Sequence, residues 1–192
     1  QSVTALVGPR GCMKADFAEA FATGDISGAT NRSVLAVHFG DDFPLGKRAA
    51  TGIRRPHHMG VRYDVSFGAD GDPSAPTLIR VLYRSGYVNS GLVLKAVKEL
   101  IDERRSVSSP LSRVVVSDAG NIAPDFHALK SDPAFIPALC DLLASEGITT
   151  LIVYSRPEHG AADYVIEQIR SVSENIIEVF PVGYAGKQTT GM

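Results

Sequence analysis

Cysteine is scarce in this chain of 192 residues: Cys12 and Cys140 are the only two, and they lie far apart. Two distant thiols make neither a disulfide framework nor a metal quartet. Excess charge of one sign is also missing. Lys and Arg total 19 and Asp and Glu total 21, for a formal net charge of −2. A balance so near zero excludes a histone-like or polybasic protein held to its partner by charge alone. No apolar run approaches the ~20 residues that cross a bilayer, so no membrane span is expected. The start, Gln1-Ser2-Val3, has no basic segment followed by an apolar stretch, and no signal peptide is expected there. The missing initiator Met points to a processed chain or to a piece of a longer one. No low-complexity tract and no repeat of solenoid period is present. What the sequence does have is 44% hydrophobic against 21% charged residues, which suits a packed core and excludes disorder throughout. The expectation is a single cytoplasmic domain over residues 1–192.

Val3 to Val7 is a β-favouring run that stops at the glycine turn Gly8-Pro9-Arg10-Gly11. Lys14 to Phe21 follows with Phe17, Ala20 and Phe21 at helical spacing, and Gly24 ends that helix. Val34 to Phe39 is a second apolar strand. Arg62 to Phe67 alternates with period two and reads as an edge strand, and Thr77 to Tyr83 reads as another strand. Asn89 or Ser90 caps a helix to about Arg105, with Leu92, Val93, Ala96, Val97, Leu100 and Ile101 on its buried stripe. Arg113 to Asp118 is an apolar strand ending in an acid. A helix starts at Ser131-Asp132-Pro133 and ends at Glu146-Gly147. Ile148 to Tyr154 is a strand, about Gly160 to Val172 a helix, and Ile176 to Val182 a last strand. Uninterrupted β-branched runs alternating with amphipathic helices predict a mainly parallel sheet covered on both faces.

The first strand-turn-helix bears the most chemistry. Gly8-Pro9-Arg10-Gly11-Cys12-Met13-Lys14-Ala15 matches the phosphate-loop pattern G-x-x-x-x-G-K-[ST] at its first Gly and its Lys. Such a turn gathers backbone N–H groups and a helix N-terminus around phosphate, and adds a lysine ammonium. Met13 stands in place of the second glycine and Ala15 in place of the hydroxyl that would ligate Mg²⁺. A plain glycine-rich βα turn is an even alternative. Asp118, at the end of three valines and Ser117, is placed as a carboxylate near phosphate-bound Mg²⁺ is placed, or else caps the turn Ala119-Gly120-Asn121. Asp41-Asp42 follow the second strand, where open α/β sheets bind ligands. One of them can orient or deprotonate a water, or the pair forms a solvated turn.

Taken in order, several features resemble the RecA-like P-loop ATPases. These are the glycine loop with Lys14, Phe39-Gly40-Asp41-Asp42, strand 77–83, helix 90–105 and Val114-Val115-Val116-Ser117-Asp118. The KaiC-type, circadian-clock branch is the best fit, since it carries paired acids after its second strand and an Asp-Ser-type turn after its acid-ended strand. Residues 133–153 also resemble that branch, where a helix precedes the sensor strand. The resemblance implies a three-layer RecA-like α/β domain with a mainly parallel central sheet. It implies nucleotide binding at Gly8, Pro9, Arg10, Gly11, Cys12, Met13, Lys14 and Ala15, with ATP and Mg²⁺ as ligands. It places Asp118 near the metal and gives Asp41 or Asp42 the water-activating role. Met13, Ala15 and aspartates in place of the family's glutamates depart from that pattern, so hydrolysis is expected to be weak or absent.

Lys47 to Arg62 contains no acid and carries Lys47, Arg48, Arg54, Arg55 and Arg62 beside His57-His58. It reads as an arginine finger for a neighbouring subunit, a nucleic-acid contact or a solvated loop. His57-His58 lacks a third ligand at metal spacing. Cys12 lies near a helix N-terminus, and Arg156 follows a strand where a γ-phosphate could be sensed. The tail 183–192 reaches an adjacent subunit or stays disordered. The functional expectation is an oligomeric ATP-binding module. The competing expectations are a non-catalytic scaffold for a partner protein and, with less support, a DNA-associated protein.

Overall fold

The computed structural model describes residues 2–23, 32–40, 61–66, 77–83, 88–122, 126–156, 164–184 and 187–191. The strands are β1 (Val3–Pro9), β2 (Ser33–Phe39), β3 (Val61–Ser66), β4 (Thr77–Tyr83), β5 (Leu111–Ser117), β6 (Thr149–Arg156), β7 (Asn175–Glu178), β8 (Phe180–Tyr184) and β9 (Lys187–Gly191). The helices are α1 (Lys14–Thr23), α2 (Ser90–Ser106), α3 (His127–Lys130), α4 (Phe135–Ser145) and α5 (Tyr164–Val172), with a 3₁₀ turn over Ala119–Asn121.

Seven strands form one sheet in the order β3-β4-β2-β5-β6-β1-β7. Six run parallel, and β3 alone pairs antiparallel, at the edge. That is the mainly parallel sheet and the edge strand the sequence predicts. The strands are apolar on both faces because both are covered. Ala5, Val7, Leu35, Val37, Val114, Val116, Ile152 and Tyr154 pack with buried residues of α2, α4 and α5. Their neighbours in sequence, Leu6, Val34, Ala36, Val115, Leu151 and Val153, pack with Ala18 and Ala22 of α1. Period-two alternation thus divides each strand between two cores, giving three layers.

Local boundaries follow from side-chain chemistry. Asn89 is the cap of α2, its Oδ1 accepting from Leu92 N at 3.0 Å. Val93, Val97, Leu100 and Ile101 form the buried stripe of α2, whereas Leu92 is exposed. The helix expected from 131–133 begins at Phe135, because Asp132 Oδ1 accepts from Ala134 N and holds a turn ahead of it. The short α3 before that turn is additional. The last predicted strand divides in two. β7 runs beside β1 up to Glu178, and Val179 N then donates to Val7 O at 2.8 Å. From Phe180 the chain leaves the sheet and β8 pairs antiparallel with β9, so 187–191 are ordered as a strand.

Candidate functional site

β1 delivers the glycine loop to the C-terminal end of the sheet, and β5 delivers Ser117 and Asp118 to the same end. β6 lies between them. Open α/β sheets bind ligands at this end of their strands. On the α1 face, Gly11, Cys12, Met13, Lys14, Ala15, Asp16, Ala18, Ser117, Asp118, Val153 and Ser155 enclose a cleft of about 320 Å³. Five of the eight predicted loop residues therefore meet the predicted metal-side carboxylate in one cleft.

The remaining loop residues serve the turn itself. Gly8 and Pro9 turn their carbonyls toward Lys14: Nζ donates to Gly8 O at 3.2 Å and also to Pro9 O. Lys14 is 4% exposed. Burial lowers its pKa below the usual lysine range, while Cys12 and Asp118 nearby pull it back up. Arg10 Nη2 donates to Asn121 Oδ1 at 3.2 Å, and Asn121 Nδ2 donates to Phe39 O at 2.9 Å. One amide thus ties the loop to the end of β2. The left-handed residue of the loop is Gly11, at φ 80°. Met13 has no positive φ and its side chain is 60% exposed, so the backbone of the turn tolerates a side chain there.

Asp118 itself is left-handed (φ 53°, ψ 36°) and makes no side-chain cap to the 3₁₀ turn that follows. Its carboxylate, one-third exposed, lies 3.4 Å from Nδ1 of the buried His38. The same Nδ1 lies 2.9 Å from Ser117 Oγ. Aspartate is among the few non-glycine residues that adopt this conformation readily.

Asp41 and Asp42 lie outside the described residues, as do 47–60 of the basic stretch. Arg156 pairs with Glu178 at 2.7 Å and does not line the cleft. Among the described residues no group of three His, Cys, Asp or Glu could hold a metal, and no helix is long and apolar enough to cross a membrane. Sequence reading missed His38, Asn121, Ser155 and Gly120. Gly120 is required because a Cβ there would stand under 3.0 Å from Ser155 O.

The two thiols differ in surroundings. Cys140 is buried, and desolvation with Asp141 nearby pushes it up to about 12. Cys12 is partly exposed in the cleft. Thiolate is the reactive species. Native protein at pH 8 is expected to take up one equivalent of iodoacetamide rapidly, at Cys12, and the second only on unfolding. Peptide mass mapping showing early Cys140 labelling would contradict that assignment.

No protein-family profile and no curated protein sequence matches this chain. A solved structure does. The KaiC-like protein of the hyperthermophilic archaeon Pyrococcus horikoshii superposes with a TM-score of 0.61 over 98% of this chain and 76% of its own, at 13% identity. The fold is RecA-like. This RecA-like fold places the glycine loop and the acid-ended strand in the relation the sequence predicts, with the cleft between them.

Proposed function

We propose that this RecA-like domain binds a nucleoside triphosphate, ATP, in the α1-face cleft, and turns it over weakly or not at all. The observation that carries the reading is the convergence of Lys14, the N-terminus of α1 and Asp118 on one cleft at the C-terminal end of a parallel sheet. The loop N–H groups and Lys14 would hold the phosphates. Mg²⁺ keeps most of its waters and needs only one or two carboxylates besides phosphate oxygens, so Asp118 suits it without further acids. Bound there, the ion would neutralise phosphate charge. Ala15 supplies no hydroxyl to it, which supports retained binding with impaired turnover. Asp41 or Asp42 remains the candidate for activating water, and the working form is an oligomer.

A second reading has its own support. The ammonium of Lys14 is already held by Gly8 O and Pro9 O. A lysine so used stiffens a βα turn without any ligand, as a scaffold for a partner protein requires.

Calorimetric titration with ATP and ADP, with and without Mg²⁺, separates the two. Saturable binding that Lys14→Ala weakens at least about tenfold supports the nucleotide reading, since a charge-assisted hydrogen bond contributes about 1.5–3 kcal/mol. A melting curve shows whether that variant is folded. No heat up to millimolar nucleotide would sink the reading in favour of the scaffold.

A further inference from the structure

The α1 face carries one buried imidazole at the edge of this cleft, and the phosphate-loop reading gives it no task. His38, on β2, is 3% exposed and sits in register with Ser117 on β5. A buried imidazole is costly unless its polar atoms are paired. Its Nδ1 is 2.9 Å from Ser117 Oγ and 3.4 Å from Asp118 Oδ2. The Asp118 carboxylate can only accept, and Ser117 Oγ lies 3.4 Å from Val37 O as an outlet for its own proton, so the tautomer protonated on Nδ1 suits both neighbours. On the far side of the ring, a Cβ built on Gly40 would lie 3.2 Å from Nε2. The imidazole is therefore held between β5 and the end of β2, with one N–H facing both a cleft-lining hydroxyl and a cleft-lining carboxylate.

Asp118 needs an external hold. It lies just past the end of β5, its backbone is left-handed and its side chain makes no cap to the following turn. Its carboxylate is consequently aimed by its neighbours and not by its own helix or strand. We propose that His38 is a positioning residue: through Nδ1 it fixes the Asp118 carboxylate at the cleft wall and thereby sets how much a divalent cation adds to nucleotide affinity. The inference rests on the nucleotide reading above and deepens it. Ser117 completes the hold by fixing the ring. Removing the partner that orients a ligating group commonly costs 10–100-fold in metal affinity, although that partner never touches the ion.

The test is the ratio of ADP affinity with Mg²⁺ to that without, measured by calorimetry on the full chain. His38→Gln keeps a polar side chain but moves its amide one methylene beyond the Nδ1 position. His38→Asn places an amide nitrogen close to Nδ1. The expected result is a ratio reduced at least about tenfold by His38→Gln, and restored by His38→Asn, with Mg²⁺-free affinity unchanged in both. Ser117→Ala provides an independent variant and is expected to lower the ratio as well. A purely structural histidine would lower the melting temperature and weaken both affinities together, or leave the ratio untouched; either result overturns the proposal. Wild-type binding that is indifferent to Mg²⁺ overturns it too, while leaving the nucleotide reading intact. Wild-type protein that binds no nucleotide at all removes both.

Discussion

Replacing Phe39 by alanine is expected to cost about 3–5 kcal/mol of folding stability. Phe39 ends β2 with no exposed surface. Its ring stacks on Tyr83 at 5.6 Å between centroids and takes the edges of Phe126 at 5.4 Å and Phe135 at 6.1 Å. Aromatic pairs of this kind contribute about 0.5–1.5 kcal/mol each beyond the area they bury. One ring thus joins β2, β4, the segment before α3 and the start of α4. Its removal leaves a void lined by rigid rings that cannot collapse into it. At about 2–4 °C per kcal/mol for a domain of this size, the melting temperature should fall by roughly 6–20 °C. Phe39→Leu should recover more than half of the loss. A fall below about 1.5 kcal/mol in urea unfolding for the alanine variant would show that the cluster repacks.

Gly120→Ala is the second large effect. The added methyl would stand under 3.0 Å from the carbonyl oxygen of Ser155, which is backbone and cannot rotate away. Gly8→Ala meets Val179 O in the same manner. Overpacking of this sort costs about 1–3 kcal/mol, and the upper end is expected here because strand backbone must move. Since Ser155 lines the cleft, Gly120→Ala should also weaken the proposed nucleotide binding, whereas Gly8→Ala shifts β1 against Val179, at the exit of β7. Gly91 gives the control. Its nearest neighbour to an added Cβ is Asn89 Oδ1 at 3.5 Å, within α2, so Gly91→Ala should stabilise by about 0.5–1 kcal/mol. Paired thermal melts of the three variants decide the matter. Equal shifts would mean that crowding does not govern these glycines.

The parts of the fold legible in sequence are those governed by neighbours along the chain. Apolar runs, and period-two alternation for β3, located every strand of the main sheet, and Asn89, Gly147 and the proline at 133 marked helix ends within a few residues. The glycine loop and Asp118 were legible for the same reason, since residue type and spacing within eight positions announce them. His38 was not. Among Val34, Leu35, Ala36, Val37 and Phe39 it reads as one polar interruption of a buried strand, and its meaning comes from Ser117, 79 residues away. Asn121 and Gly120 are defined by contacts with Arg10, Phe39 and Ser155 that no local window contains. The division of the last strand is likewise tertiary: Val179 still bonds to Val7 O, and its own carbonyl lies against Gly8.

The position of β1 in the sheet has a further consequence, for the order in which the chain is made. Val3 pairs with Thr150, and Thr4 pairs with Leu151 on one side and Asn175 on the other. At ribosomal rates of about 5–20 residues per second, β1 waits many seconds for either neighbour. A nascent chain stopped before β6 offers β1 neither of its two ladders, whatever helices have already formed. The glycine loop is thus made well before the two strands that flank β1, and it acquires its shape only after both have followed.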